Sequence, residues 1–168
     1  MTAERDPFLN PFPDSDADRR AIWEMLVPRD IDAFVSADWG MVEDDFIPAG
    51  FTGVSGHFQS DPQGFTLAFP TLDVYRAEWL RQARSFGADR AAGRFAGDPR
   101  AGIFAATRLE EIDIAGDAAL VRKKFDGRLA KADGGFDRMN WQTLYICRRQ
   151  GGRWKIAGFV GYLPHIKE

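Results

Sequence analysis

Two side chains in the first half of the chain could move protons, His57 and Asp45. His57 comes three residues before Ser60 and Asp61, and a histidine near a carboxylate can act as an acid or a base around neutral pH. Asp45, if it entered an aromatic cavity, would be desolvated in the way that a general acid or base requires. Both also fit plain structural roles, His57 as a loop anchor and Asp45 as a solvated carboxylate or a helix cap.

Aromatic residues are unusually frequent, at 13% of the chain, and they favour an aromatic-lined pocket or an interface. Rings keep their shape at low entropic cost and bind flat apolar ligands well. Tyr75 or Tyr145 could donate a hydrogen bond to a developing oxyanion. The register of the strands could be shifted by one residue, which would turn the opposite set of side chains inward. The predicted ligand-binding wall consists of Phe51, Tyr75, Trp79, Trp141, Tyr145 and Phe159.

The sequence carries no common motif for a cofactor, a metal or a hydrolase nucleophile. The glycine-rich segment GFTGVSG at 50–56 lacks the Gly-Lys-Ser/Thr ending of a phosphate loop, so it indicates bends in a short strand. The chain has one cysteine, Cys147, and two histidines, which leaves no disulfide and too few ligands for a Cys/His metal cage. We therefore expect neither a metal nor a cofactor.

The elements that would position these residues begin with helices. An apolar stripe predicts a helix from about residue 18 to 39, kinked or split at Pro28, which removes a backbone hydrogen bond. A second helix is predicted over 71–86, and the Gly/Ala/Arg-rich segment 87–102 is predicted to be a loop. Short strands are expected between the two helices.

The last third of the sequence predicts a run of antiparallel strands separated by glycine-containing turns. Helices followed by such strands predict an α+β fold, in which N-terminal helices cover one face of a curved, mostly antiparallel sheet and form a cone with an internal pocket. Residues 1–15 are predicted to be an extended arm, and 16–168 a single domain. The predicted long strands are 107–114, 118–129, 137–149 and 154–162.

Two features favour a homodimer that forms through the sheet. The strand at 137–149 has apolar residues on both faces, so something besides the helices should cover it. The arm carries Phe8, Leu9 and Phe12, which are too apolar for a solvated tail and should pack on a neighbour or over a cavity mouth. We therefore expect a second copy of the chain as a partner.

Other partners are not expected. The densest basic cluster, at 122–131, is interrupted by Asp126 and lies on one strand of an acidic chain, which argues against nucleic acid. The N-terminus has no apolar signal segment, and no apolar run approaches the 18 residues of a membrane span. A cytoplasmic location is the simplest expectation.

Several segments resemble the nuclear transport factor 2-like superfamily over roughly residues 16–163. The most specific are IAGDA at 114–118 and RWKI at 153–156, supported by DF at 45–46, GFTG at 50–53 and YRAEWL at 75–80. The resemblance implies a cone of curved antiparallel sheet around a deep pocket, often dimerised through the sheet. Its members include polyketide cyclases of the SnoaL type, ketosteroid isomerase, scytalone dehydratase, small subunits of ring-hydroxylating dioxygenases and the non-catalytic transport factor.

Three functions remain open because a fold does not fix an activity. The first is a cofactor-independent cyclase, isomerase or dehydratase that acts on a small apolar or aromatic substrate, with His57 or Asp45 as the base. The second is a protein that binds such a ligand without turning it over. The third is a dimeric interaction module whose cavity is filled by its own rings. An open cavity that holds a His or Asp beside a Tyr would favour the enzyme.

Overall fold

A computed structural model describes residues 4–165, so 1–3 of the predicted arm and 166–168 lie outside the described residues. The first helical region confirms the prediction that Pro28 would disturb it. Pro28 lies within a single π-helical turn, Met25–Arg29, that joins two short α-helices into one continuous rod. None of the described helices is long and apolar enough to cross a membrane. The α-helices are α1 (Ala17–Glu24), α2 (Asp30–Ser36), α3 (Leu72–Ala91) and α4 (Pro99–Ala106).

Six strands form one curved, unclosed sheet, which confirms the predicted α+β class. Their order is β2-β1-β6-β5-β4-β3, and every neighbouring pair is antiparallel except β1 and β6. The four long strands start and end within two residues of their predicted bounds. The strands are β1 (Thr52–Ser55), β2 (Thr66–Phe69), β3 (Thr107–Ala115), β4 (Ala118–Ala130), β5 (Phe136–Gln150) and β6 (Arg153–Pro164).

The loop predicted for 87–102 is wrong at both ends. Helix α3 continues to Ala91, and α4 begins at Pro99. The start of α4 follows ordinary capping rules: the Asp98 carboxylate accepts a hydrogen bond from the Arg100 amide at 3.0 Å, and proline at the first helical position needs no amide hydrogen. The glycines and alanines of this segment had suggested a loop, although the segment contains the end of α3 and the start of α4.

The hydrophobic core lies between the helices and the concave face of the sheet. Ile22 and Leu26 on the first helical rod and Val121 on β4 are almost fully buried. On β4 the neighbour of Val121, Leu120, points the other way and is exposed. This alternation follows from the two-residue period of a strand, and it separates an inner face of the sheet from an outer one.

The N-terminal arm packs on its own chain. Arg5 donates hydrogen bonds to the carbonyls of Thr107 at 2.8 Å and Ala105 at 3.1 Å, where α4 meets β3. The Phe8 ring lies 4.8 Å from the Phe104 ring. The arm therefore finds its apolar partner without a second subunit.

Candidate functional site

A cavity of about 340 Å³ lies between α2, α3 and the inner face of the sheet. Strand β5 runs along it, with Met139, Trp141, Thr143 and Tyr145 lining it at every second position. Side chains two residues apart on a strand are separated by about 7 Å, so this one strand contributes to most of the length of the cavity. Further aromatic rings in the wall are Phe34, Tyr75, Trp79, Phe86, Phe125, Phe159 and Tyr162.

Five of the six predicted wall residues line this cavity: Tyr75, Trp79, Trp141, Tyr145 and Phe159. The sixth, Phe51, is buried behind the wall, with its ring centroid 5.7 Å from that of Tyr75. The register of β5 is therefore the one that places its odd-numbered residues inward. That these side chains bind a ligand stays a prediction.

One end of the cavity, which we call the floor, is built from Asp30, Lys123, Tyr75 and Tyr145. The Lys123 side chain is only 1% exposed, and its Nζ donates to Asp30 Oδ2 at 2.8 Å and to the Leu26 carbonyl. The Asp30 side chain is 29% exposed. The ion pair thus brings a carboxylate into an aromatic cavity with its charge balanced.

The π-helical turn explains why Lys123 can be held there. Asp30 donates its amide to the Val27 carbonyl, so the Leu26 carbonyl lacks its usual helical donor four residues on. The Lys123 ammonium donates a hydrogen bond to this carbonyl. Pro28 thus leads, through the turn, to an accepting carbonyl and an acid on the same side of the helix.

The two floor tyrosines are held in their protonated form. Burial raises the pKa of Tyr75 well above its ordinary value, and the neighbouring Tyr145 and Asp30 add to the shift. Burial likewise raises the pKa of Tyr145, with Asp30 the next contributor. A protonated phenol remains a hydrogen-bond donor over the whole physiological pH range.

The floor carries hydrogen-bonding capacity that the described residues leave unused. Among residues 4–165, no partner meets the hydroxyl of Tyr75, the hydroxyl of Tyr145 or the Oδ1 atom of Asp30. An acidic side chain with one free oxygen therefore faces the same space as two free phenolic donors. The Asp30 carboxylate can accept a proton from one atom of a bound molecule, and the two phenolic hydroxyls can stabilise negative charge on another atom.

Asp45 does not enter the cavity. Its side chain is 1% exposed and accepts from Arg29 Nε at 2.7 Å, from Arg29 Nη2 at 2.8 Å and from Arg153 Nη2. A void of about 10 Å³ lies beside it, and Asp45 lines that void together with the floor residues Asp30, Tyr75 and Tyr145. Since both carboxylate oxygens are occupied by guanidinium groups, the predicted role of Asp45 as a base has no geometric support.

His57 also lies outside the cavity. It is exposed, has a left-handed backbone (φ 49°), and contacts Ser55 Oγ at 3.4 Å and Thr66 Oγ1 at 2.7 Å. Asp61, its proposed carboxylate neighbour, instead accepts from the amide of Gln63. The expectation that His57 would point into the cone is therefore not met, because its loop turns away along the outer edge of β1 and β2.

A metal centre has no obvious place. Within residues 4–165, no three His, Cys, Asp or Glu side chains are grouped so that they could hold an ion. Cys147 is fully buried, and burial raises the pKa of its thiol to about 12. The nucleophilic thiolate form is therefore disfavoured near neutral pH.

Asp30 and Lys123 are the site residues that the sequence interpretation missed. Lys123 was counted in the basic cluster at 122–131, yet it occupies the inward parity of β4 between Val121 and Phe125. Lys123 is two residues from the apolar Val121 and Phe125, and residues two apart on a strand share a face, so the sequence contained a signal that Lys123 faces inward. The cluster is in fact divided, because Arg122 and Lys124 point to the outer face.

Known structures share this architecture at low sequence identity. A nuclear transport factor 2-like protein with a cystatin-like fold from Novosphingobium aromaticivorans matches with a TM-score of 0.52 and 15% identity, over 88% of this chain and 81% of that one. A nuclear transport factor 2-like superfamily protein from Salmonella enterica serovar Typhimurium gives 0.52 and 13%, over 87% and 89%. A variant of a protein of unknown function from Mycobacterium tuberculosis gives 0.50 and 14%, over 84% and 68%.

No protein-family model matches the sequence, and no curated protein is similar to it at a significant level. The structural matches therefore support the fold but do not identify an activity. The chain has the nuclear transport factor 2-like fold.

Proposed function

We propose that the protein is a cofactor-independent proton-transfer enzyme that acts on a small, flat, largely apolar carbonyl compound. The observation that carries this proposal is the floor: Asp30, Tyr75 and Tyr145 line the same cavity, and among residues 4–165 one carboxylate oxygen of Asp30 and both phenolic hydroxyls have no hydrogen-bond partner. The open volume of about 340 Å³ argues against a module whose cavity is filled by its own rings.

The proposed step is proton abstraction from the carbon next to a carbonyl group. Asp30 Oδ1 takes the proton, the electron pair of the broken C–H bond forms a carbon–carbon double bond, and the π pair of the carbonyl group moves onto its oxygen, which gives an enolate. The Tyr75 and Tyr145 hydroxyls donate hydrogen bonds to that oxygen. Asp30 then returns the proton to the same carbon or to another one, which gives exchange or isomerisation without any other reactant.

Lys123 holds the base rather than taking part in the reaction. Its Nζ binds Asp30 Oδ2 at 2.8 Å and leaves Oδ1 for the substrate. The same ammonium lies 5.2 Å from the centroid of the Phe125 ring, so its charge is balanced by a carboxylate, a carbonyl and an aromatic face. Asp30 is thereby fixed in one orientation.

The aromatic wall sets the substrate class. Trp79, Trp141 and Phe159 line the cavity, and faces and edges of aromatic rings favour flat, unsaturated or cyclic hydrocarbon groups. A molecule with its oxygen at the floor and its ring system between these side chains satisfies both parts of the cavity.

Binding without turnover is the second candidate, and the Lys123–Asp30 pair is the observation that favours it. A carboxylate that already shares its charge with an ammonium can serve as a hydrogen-bond acceptor for a ligand hydroxyl without ever taking a proton. The ligand would still be flat and would still place its polar end at the floor.

Hydrogen–deuterium exchange distinguishes the two. We expect the protein to accelerate exchange of the activated protons of 2-tetralone in D₂O, followed by NMR, and Asp30→Asn to lower that acceleration by about 10²- to 10⁴-fold. Asp32→Asn is a matched control, because Asp32 lies on the same helix, pairs with Arg100 and does not line the cavity. Tight binding of 2-tetralone without acceleration would support the binding role instead.

We also propose a homodimer that forms through the outer face of the sheet. Leu120 and Ile146 are cross-strand neighbours there, 49% and 43% exposed, and contiguous exposed apolar side chains mark interaction surfaces. Sedimentation at micromolar concentration should give about twice 18.8 kDa. Ile146→Lys should return the monomer mass, since it buries a charge at the interface. A monomeric wild-type protein would contradict the proposal.

A further inference from the structure

A surface groove of about 740 Å³ lies on the other side of one cavity wall. Gln82 of α3 and Tyr162 of β6 line both spaces, so these two side chains form the partition between them. The Gln82 Nε2 atom donates to the Tyr162 hydroxyl at 3.2 Å. The groove is otherwise lined mainly by His57, Phe58, Ala68, Val74, Ala77 and Arg81.

Tyr162 reaches the partition through an irregularity in β6. Gln142 pairs with Leu163 and Leu144 pairs with Val160, so Gly161 and Tyr162 together face Thr143 alone. Such a β-bulge re-aims the side chains of the strand that carries it. Tyr162 has a left-handed backbone (φ 53°) and lines the cavity.

The segments beside Tyr162 are also closely constrained. A Cβ atom on Gly161 would come within 3.0 Å of the Phe159 ring, so a larger residue could not occupy this position without displacing the wall. His57 and Phe58 also have left-handed backbones, and the Phe58 amide donates to the Tyr162 carbonyl at 2.7 Å. Strained non-glycine residues cluster where a structure is committed to one specific local arrangement.

The partition consists of two side chains, Gln82 and Tyr162. One hydrogen bond among the described residues holds the Tyr162 hydroxyl, and the ring packs edge to face on Phe58 at 5.5 Å between centroids. Phe58 is itself 57% exposed and therefore lightly packed. Rotation of the Tyr162 side chain would join the cavity to the groove without disturbing the floor.

We infer that the groove is a second binding subsite, entered past Tyr162, that takes an apolar chain attached to the carbonyl carbon of the ligand. The inference rests on the proposed function for the ring-binding part and adds the chain-binding part. Phe58, Val74 and Ala77 supply apolar contacts along the groove, and the two charged residues that also line it, Glu78 and Arg81, pair with each other at 2.6 Å.

Two fluorescent ketones test the subsite, 6-propionyl-2-(dimethylamino)naphthalene and its 6-dodecanoyl homologue, because they share the ring and carbonyl and differ only in chain length. Ala77→Trp fills the groove but does not touch the cavity. We expect it to weaken binding of the dodecanoyl probe by at least about tenfold and to leave the propionyl probe within about twofold. Ala88→Trp is the matched control, since Ala88 is exposed on the same helix and lines neither space.

Val74→Trp blocks the same groove from another position and should give the same pattern if Ala77→Trp folds poorly. Loss of both probes to the same extent, or of neither, overturns the subsite and leaves the cavity proposal standing. A wild-type protein that binds neither probe contradicts the proposed function and the subsite together. A loss confined to the dodecanoyl probe in both groove variants supports the subsite.

Discussion

Asp30 and Asp45 are both acidic, lie near one another at the base of the cone, and have opposite surroundings. Asp45 is almost fully buried and accepts hydrogen bonds from two guanidinium groups on both of its oxygens. Asp30 has one lysine partner, keeps one oxygen free and faces an open aromatic cavity. Full pairing makes an acid a structural link, whereas partial pairing beside free donors leaves it available for chemistry.

The largest effect should come from breaking the Asp45 cluster. Asp45→Ala leaves Arg29 and Arg153, whose side chains are 35% and 46% exposed, without their shared carboxylate, and loss of hydrogen bonds to a charged group costs about 1.5–3 kcal/mol of unfolding free energy. Urea unfolding followed by circular dichroism measures it as a lower midpoint at constant slope. A change below about 1 kcal/mol would mean that Asp45 contributes no more than a surface ion pair.

The next largest effect should come from the two tyrosines that line the cavity beside Asp30. Tyr75→Phe and Tyr145→Phe each remove one donor to the developing enolate, and we expect each to slow 2-tetralone exchange by about a hundredfold. The melting temperature should change little, because neither hydroxyl has a partner among the described residues. If the exchange rate of bound 2-tetralone is unchanged while its binding weakens, the hydroxyls stabilise the bound substrate and not the transition state.

A smaller effect is expected on the stability of the protein when the pH is raised and its tyrosines ionise. All three tyrosines of the chain line the cavity, and burial raises the pKa of Tyr75, Tyr145 and Tyr162 above the ordinary value of 10.0. Since the folded-state pKa values are raised, the stability they contribute is complete below the unfolded value and is lost as pH rises through the folded values.

Absorbance of tyrosinate should therefore be absent from the native protein at pH 10, where the same protein in denaturant is half ionised. Ionisation should begin only at higher pH, together with unfolding. Half-ionisation of the native protein near pH 10 would show that the tyrosines are solvated and that the floor is wet.

The frame of the fold was predictable from local patterns. The long strands follow from alternation and from glycine turns such as IAGDA at 114–118, and their observed bounds differ from the predicted ones by at most two residues. The end of α3 was not predictable, because Gly87 and the alanines after it suggested a loop. Packing of Phe86 on Phe34 and Phe95, at 5.5 and 5.1 Å between ring centroids, stabilises the last turns instead.

Strand parity predicted which residues share a face, but not which face lines the cavity or what chemistry it carries. Trp141 and Tyr145 lie on one face of β5, as their spacing in the sequence predicts, and the structure shows that this face is the inner one. Asp30 reaches the floor through the π-helical turn at Pro28, whose geometry depends on tertiary packing. Asp45 was chosen from its position alone, and its partners Arg29 and Arg153 are 16 and 108 residues away in sequence.

The most direct test of the contrast between the two acids is a crystal structure of the protein with 2-naphthol, a planar mimic of the enol of 2-tetralone. We expect its oxygen at the floor, about 2.6–3.2 Å from the hydroxyls of Tyr75 and Tyr145, with Asp30 Oδ1 facing the ring edge and Asp45 still bound to its two arginines. A ring system bound with its oxygen at the cavity mouth, or an Asp45 turned toward the ligand in place of Asp30, would contradict the account.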